Sequence, residues 1–356
     1  MQSISSAQVI PAKKGVLLLN LGSPASPSVK DVRTYLNEFL NDPHVIDLPW
    51  VFRKILVNGI ILNTRPKNSA EAYQKIWEKD GSPLLRNTRN LTAKVSQLIN
   101  ATAGEESTSV KMAMRYGTPS LKTVLEEFRA ENVSEIAFIP LYPQYSYAAS
   151  ESSIVEFERL HRKIFPELKV DIIEDFFAEP DFISALANSM REAIDRVKPD
   201  LLLLSYHGIP ERQIAKTKAP PAVCCSPGCC DQWNSQNEKC YRAQCFETSR
   251  LLSQKLGLGA DQVVTSFQSR LGRTKWIEPY TDILLPEFVK KGKKRILVAS
   301  PSFTSDCLET LEEIQLRYQE VFMAAGGESF EYLPCLNDRD DFAFFVAKLA
   351  QKTIKA

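Results

Sequence analysis

The chain has 356 residues, 44 lysines and arginines against 43 aspartates and glutamates, and a net charge of +1. That near-neutral balance argues against nucleic acid or another polyanion as partner, and the ordinary apolar and charged content excludes a disordered or fibrous class. The length is more than one core normally needs and suggests two domains.

The first elements follow a repeating plan. Residues 1–14 have no long apolar core and no cleavage-like site, so they do not read as a signal peptide. No stretch is apolar enough to span a bilayer, which leaves the cytoplasm as the default location. Val16 to Leu21 is an apolar run closed by Gly22-Ser23-Pro24 and predicts a buried strand. Further strands are predicted at Ser109 to Arg115, Ile136 to Leu141 and Val170 to Glu174, separated by helical patterns at Ser69 to Lys79, Leu121 to Ala130 and Ile154 to His161. The second half repeats this, with strands predicted at Leu201 to Tyr206, Gln262 to Phe267, Arg295 to Ala299 and Phe330 to Leu333. In both halves the second strand leads to an arginine, a short turn and a helix (Arg115-Tyr116-Gly117-Thr118-Pro119, then Arg270-Leu271-Gly272-Arg273-Thr274). The predicted fold class is α/β: two similar Rossmann-like domains, each a parallel sheet flanked by helices, with a cleft lined by strand ends between them. The boundaries read as 12–178 and 179–356, with a cysteine-rich insertion at 219–245. The first βα turn lacks G-x-G-x-x-G, and no G-x-x-x-x-G-K-[ST] occurs, so dinucleotide and P-loop functions are disfavoured.

Ser205-Tyr206-His207-Gly208-Ile209-Pro210 follows the buried run Leu201 to Leu204. Gly208 and Pro210 stop the strand, which places His207 at a strand's carboxyl end, where ligands of open α/β sheets bind. The other two histidines, His44 and His161, lie in polar helix-like or loop contexts. His207 is therefore a candidate base or metal ligand, against the plainer reading of a turn histidine. Downstream of the Arg295 to Ala299 strand, Ser305 or Asp306 would cap a helix on which Asp306, Glu309 and Glu313 fall at i, i+3 and i+7, on one face. An anonymous helix with that pattern would simply have a solvated acidic face. Beginning at a strand end in the sheet of His207, it suggests instead a row of carboxylates that binds a divalent cation or carries protons. Imidazole with carboxylate suits Fe²⁺, Zn²⁺ or Co²⁺, and the absence of H-E-x-x-H favours transient metal handling.

Six of the eight cysteines crowd into Cys224-Cys225-x₃-Cys229-Cys230-x₉-Cys240-x₄-Cys245, in a loop rich in proline, serine and asparagine. Without a secretion signal, ligation in a reduced compartment is favoured over disulfides. Four thiolates would hold Zn²⁺ or a [2Fe–2S] cluster, and the spacing leaves both open.

Several motifs taken together resemble the ferrochelatase family. In order they are Leu18-Leu19-Asn20-Leu21-Gly22-Ser23-Pro24, Ala70-Glu71-Ala72-Tyr73 with Gly81-Ser82-Pro83, Met114-Arg115-Tyr116-Gly117, Tyr142-Pro143-Gln144-Tyr145-Ser146, the His207 motif, Phe267 to Trp276, and Ser305-Asp306-Cys307-Leu308-Glu309-Thr310-Leu311. The resemblance implies Fe²⁺ insertion into a porphyrin, protoporphyrin IX before coproporphyrin, late in haem synthesis. It implies His207 as proton acceptor or iron ligand, with Glu309 facing it and Glu313 and Asp306 along the same path. Leu21, Tyr73, Tyr116, Tyr142 and Trp276 would grip the macrocycle, with Gln268 and Ser269 beside it, and Arg65, Ser82 and Arg115 would meet its propionates. Within the cysteine segment the resemblance favours a [2Fe–2S] cluster on Cys225, Cys230, Cys240 and Cys245, with Cys224 and Cys229 as alternatives and structural Zn²⁺ as the competing occupant. Residues 48–57 would form the cleft lip, either touching the inner face of the membrane where porphyrin arrives or packing as an amphipathic core helix. Cys307 departs from the family, many members of which have histidine there. A competing reading is a non-catalytic haem or iron–sulfur sensor on the same scaffold; the presence of both His207 and Glu309 disfavours it.

Overall fold

The computed structural model describes residues 13–101, 108–217, 228–270, 272 and 274–354. Chain order begins with β1 (Lys13–Gly22), α1 (Val29–Leu40), α2 (Trp50–Lys54), a π-helix (Ile55–Ile61), α3 (Leu62–Ile76) and α4 (Pro83–Asn100). It continues with β2 (Ser109–Tyr116), α5 (Leu121–Ala130), β3 (Val133–Pro140), a π-helical turn (Tyr147–Glu151), α6 (Ser152–Ile164) and β4 (Lys169–Ile172). The second half holds α7 (Pro180–Val197), β5 (Leu201–His207), α8 (Glu211–Ile214), α9 (Tyr241–Leu256), β6 (Val263–Gln268), α10 (Thr281–Lys290) and β7 (Arg295–Ala299). A π-helix (Glu309–Tyr318), α11 (Gln319–Ala324), β8 (Ser329–Tyr332) and α12 (Asp340–Thr353) close the chain.

Each half forms a four-stranded sheet whose paired strands are all parallel, in the orders β2-β1-β3-β4 and β6-β5-β7-β8. The same order twice is what the repeated strand–helix pattern predicts. The central strands β1 and β5 are continuous apolar runs because both their faces are covered. On β1, Leu17 and Leu19 face α5 and α6, while Val16 and Leu18 join a core that also holds Leu202, Leu204 and Tyr206 of β5. Between the two sheets lies a layer made of α4, α7, α9 and α12. Second-half helices α7 and α9 pack on β7 and β6 of their own sheet, whereas α12, at the end of the chain, crosses over to pack on β3 and α4 of the first half. The outer face of the second sheet is covered by α10, α11 and the π-helix Glu309–Tyr318.

This layering turns the carboxyl ends of the central strands toward residues from both halves. The last register pair of β1 with β2 is Gly22–Tyr116, and the last of β5 with β6 is His207–Gln268. Gly22 has φ +114°, and a Cβ there would lie 1.8 Å from the Tyr116 carbonyl oxygen. We therefore expect Gly22→Ala to lower unfolding free energy by about 3 kcal/mol, read as a shifted urea midpoint at unchanged slope; an unshifted midpoint would show that the β1–β2 junction relaxes freely.

Candidate active site

His207 ends β5, and the site is built outward from it. Its backbone N–H donates to Ser302 Oγ (3.0 Å), and its carbonyl accepts from the Tyr241 hydroxyl (2.8 Å). Its ring meets Phe303 edge-on at 6.1 Å. Nδ1 lies 2.5 Å from the Gly208 carbonyl oxygen. A carbonyl oxygen only accepts, so Nδ1 carries a proton, and in the neutral ring it is Nε2 that has the lone pair. Gly208 is required by close approach: a Cβ there would stand 2.7 Å from the Gln268 carbonyl and 3.2 Å from the Trp276 ring. Trp276 pairs with Pro210 across this turn and is partly exposed.

The carboxylates sit on the π-helix Glu309–Tyr318, where an α-helix was expected. Gln268 Nε2 donates to the Glu309 carbonyl (3.0 Å), an acceptor that an α-helix would give to the N–H of Glu313. Its other amide end accepts from Ser205 Oγ (3.0 Å), so buried Gln268 clamps β5 to the helix. The wider π turn keeps Glu309 and Glu313, four apart, on one face, but Asp306 precedes the helix. Asp306 is not its cap, and neither is Ser305. The Asp306 carboxylate accepts instead from Tyr332 (2.7 Å), Thr310 (3.1 Å), Asn337 (2.7 Å) and the Cys335 N–H (3.3 Å). Those donors hold it inside the second half.

Glu313 is likewise engaged, accepting from the Ser269 N–H (3.1 Å), the Ser269 hydroxyl and Tyr318 (2.9 Å). Glu309 is the freer carboxylate. The Cys307 thiol donates to it and is itself pushed well above the ordinary thiol range, by burial first and then by the Glu309 charge. Cys307 therefore stays a neutral thiol. From the other half, the buried Tyr73 hydroxyl is pushed up by burial and then by Glu309; Tyr35 is raised by burial, Tyr73 and then Glu309. The Glu309 charge thus acts directly on α1 and α3. Tyr73 and Tyr116 share an apolar cluster with Leu21, Leu308 and Leu311, which joins β1, β2 and α3 to the π-helix.

Other expected contacts have different surroundings. Ser82 is a buried N-cap, accepting from the Leu85 N–H (3.3 Å). Arg65 is exposed on α3, close enough for its charge to act on Tyr73. Arg115 donates from Nε to Ser152 (3.0 Å) and from Nη2 to Asp42, and stacks 4.5 Å above Tyr116. With Asp42 neutralising its charge, Arg115 is a poor counter-ion for a propionate. The Tyr142 hydroxyl and Ser153 Oγ are buried beside one another without a well-aligned hydrogen bond; burial pushes Tyr142 up to about 12, with Ser153 and the Arg115 charge acting the other way.

Two carboxylates escaped the sequence reading. Asp42 accepts from five donors and, despite burial, is held well below the usual carboxylate range by His44, Arg115 and Ser152. Asp47 accepts from Arg212 and Lys216 of the other half. Neither lies in a recognisable motif. Glu312, also buried, accepts from Lys75 of α3 (3.2 Å) and from Arg317 (2.8 Å). The lip does not pack as a core helix: Trp50, Val51, Phe52 and Ile55 are 65, 54, 64 and 61% exposed. Among the described residues no helix is long and apolar enough to cross a membrane.

Cys224 and Cys225 lie outside the described residues. Cys229 and Cys230 have sulfurs 3.5 Å apart. Hydrogen bonding from Cys240, against burial and with help from Arg242, brings the Cys230 thiol down to about 6. Cys245 is raised by burial. The donor chemistry suits a soft metal or a cluster. Among the described residues, however, no three His, Cys, Asp or Glu side chains are gathered to hold a metal ion, so a four-thiolate cage would need both Cys224 and Cys225 or a closer approach of the described thiols.

A family model described as ferrochelatase matches residues 13–354. The chain belongs to the ferrochelatase family. It is 44% identical to the ferrochelatase of Coxiella burnetii strain Dugway over 358 residues, covering 99% of each chain. It is 46% identical to that of Opitutus terrae over 345 residues, covering 96% of this chain and 98% of the relative. Among solved structures, SirB from Bacillus subtilis with Fe³⁺ aligns at TM-score 0.53 over 96% of this chain and 98% of its own, at 11% identity. At that identity the likeness is one of fold, and it bears out the two-sheet chelatase architecture. As a member of this family the protein is an enzyme that inserts metal into a porphyrin for haem synthesis.

The Asp47 clamp ties the lip to α8, just beyond the His207 turn. Burial raises its carboxyl, but the Arg212 and Lys216 hydrogen bonds outweigh this and bring it from 3.8 to about 2. A depressed carboxyl stabilises the fold above its unfolded value and stops doing so as pH falls through the folded one. The lip should therefore loosen between about pH 4 and pH 2. Pepsin nicking within residues 48–60, normalised to an unfolded control, should rise across that window in wild type and be high throughout in Asp47→Asn. Equal resistance of the two proteins would remove the clamp.

Proposed function

We propose that the enzyme inserts Fe²⁺ into protoporphyrin IX to form protohaem, with His207 accepting a pyrrole proton or serving as the last ligand of the incoming iron. The observation that carries this reading is the Nδ1–H bond to Gly208, which leaves Nε2 as a lone pair at the strand end. A free-base porphyrin loses two N–H protons as the metal enters, and a neutral imidazole is a suitable acceptor. Glu309, the freer carboxylate, receives the proton or the iron first. Glu313, one turn along and bonded to Ser269 and Tyr318, passes charge toward solvent. A flat macrocycle hides its nitrogen lone pairs, so a site that binds it distorted lies closer to the transition state. Leu21, Tyr73, Tyr116 and Trp276 supply the apolar walls for this. The exposed Trp50, Val51, Phe52 and Ile55 support the lip as a membrane-surface contact through which an apolar porphyrin arrives.

In anaerobic assays with Fe²⁺ and protoporphyrin IX, wild type should quench porphyrin fluorescence, and His207→Ala and Glu309→Gln should lose at least ~100-fold in turnover. Wild-type turnover by His207→Ala would remove the histidine from the mechanism, and a folded but inactive wild type would overturn the reading.

The cysteine segment is the second part of the proposal: it holds a [2Fe–2S] cluster with no step in chelation, the thiols of Cys230, Cys240 and Cys245 being joined by Cys225, with Cys224 and Cys229 as alternatives. The Cys230 thiol at about 6 supports thiolate ligation near neutral pH. Protein purified without oxygen should be red-brown and bleach on cluster removal with its turnover retained. A colourless protein with stoichiometric zinc would assign a structural Zn²⁺ site instead.

A further inference from the structure

We propose that Asp42 is a positioning residue for chelation, acting through Arg115 and Tyr116 at the carboxyl end of β2; this rests on the porphyrin reading above. Asp42 lies in the loop after α1, its side chain 2% exposed. Oδ2 accepts from Arg115 Nη2, the Tyr116 hydroxyl (2.8 Å) and the Ser152 hydroxyl (2.7 Å). Oδ1 accepts from the His44 N–H (2.7 Å) and faces His44 Nδ1 (3.1 Å). One carboxylate therefore joins the base of the lip, the end of β2 and the start of α6.

The effect on Arg115 is specific. Its Nε bonds Ser152 and its Nη2 bonds Asp42, while the guanidinium lies flat over the Tyr116 ring that Asp42 also holds. Two hydrogen bonds and the ring contact orient it, and its charge is balanced within the wall. Nη1 is left without a hydrogen bond among the described residues. Close by, the Tyr142 hydroxyl is within reach of the Arg115 charge and of Ser153 Oγ, the two buried hydroxyls facing one another without a well-aligned hydrogen bond. Buried hydroxyls so poorly satisfied are costly, and an acceptor brought to them gains their hydrogen bonds. Asp42 thus fixes a neutralised donor next to two under-satisfied hydroxyls. Arg115 works as an oriented donor on the macrocycle's edge and not as a propionate counter-ion.

Positioning of this kind predicts a loss in kcat more than in KM, because misplacement of a wall by about 1 Å can cost ~100-fold. The test is steady-state Fe²⁺ insertion into protoporphyrin IX by wild type, Asp42→Asn, Ser152→Ala, Arg115→Gln and the paired variants, each checked for folding by circular dichroism and thermal melting. Asp42→Asn should lose ~10- to 100-fold in kcat with porphyrin KM within ~3-fold. Asp42→Asn/Arg115→Gln should be no slower than Arg115→Gln alone, since the aspartate acts through the arginine. A folded Asp42→Asn with wild-type kcat overturns the proposal, as do losses that multiply in the pair. If Asp42→Asn does not fold, Ser152→Ala with Arg115→Gln gives the same cycle, and multiplied losses there overturn it. An inactive wild type overturns both this and the chelation reading; an active wild type with an equally active Asp42→Asn overturns the positioning alone.

Discussion

The helical layer shared by the two sheets is the constraint on which the rest depends. Val16 and Leu18 of β1, Leu202 and Leu204 of β5, and α4, α7, α9 and α12 form one apolar cluster. Full burial of each such side chain favours the folded state by roughly 1.5–3 kcal/mol, so separating the halves would expose a core and not merely an interface. The crossing of α12 strengthens this: the inner face of the first sheet is completed by a helix from the second half. The two sets of strand ends are therefore held at a fixed relation, and a site assembled from both can be accurate to the scale chemistry requires.

Upon that frame the electrostatics separate four carboxylates by environment. Asp306 is saturated by donors of its own half and secures the turn before the π-helix. Glu313 is saturated by Ser269 and Tyr318. Asp42 is saturated by Arg115, Tyr116, Ser152 and His44. Glu309 alone faces a neutral thiol and the buried phenols of Tyr35 and Tyr73. A carboxylate in that setting is less committed to structural donors than the other three. The saturated ones keep the geometry around it. Gln268 also bonds the Glu309 carbonyl at the start of the π-helix and accepts from Ser205, which ties β5, β6 and the carboxylate helix together.

The lip shows the opposite balance. Its apolar residues are exposed, and it is held at its base by polar contacts: Asp42 to β2 and α6, Asp47 to Arg212 and Lys216, and Gln213 to the His44 carbonyl. Polar anchors at a base leave an apolar tip free to face a lipid surface or a porphyrin, and they tie its setting to the turn that carries His207.

Periodicity and punctuation in the sequence determined most of the scaffold. Buried parallel strands are continuous apolar runs, and glycine and proline end them; that is why all eight strands and the position of His207 at the end of β5 were legible, with boundaries displaced by three residues at most. The ordered motifs determined the family. What the sequence alone could not determine depended on contacts between distant positions. Asp306, Glu309 and Glu313 read as one α-helical face, yet the helix is π-form from Glu309, Asp306 lies before it, and Gln268, forty-one residues before Glu309, bonds its first carbonyl. Arg115 and Ser82 read as propionate ligands with no sign of their protein partners, yet Asp42, seventy-three residues before Arg115, accepts from the guanidinium, and the Ser82 oxygen caps the first turn of α4. A side chain's type limits what it can bind. Which partner reaches it first is a matter of tertiary packing, and no local spacing encodes that.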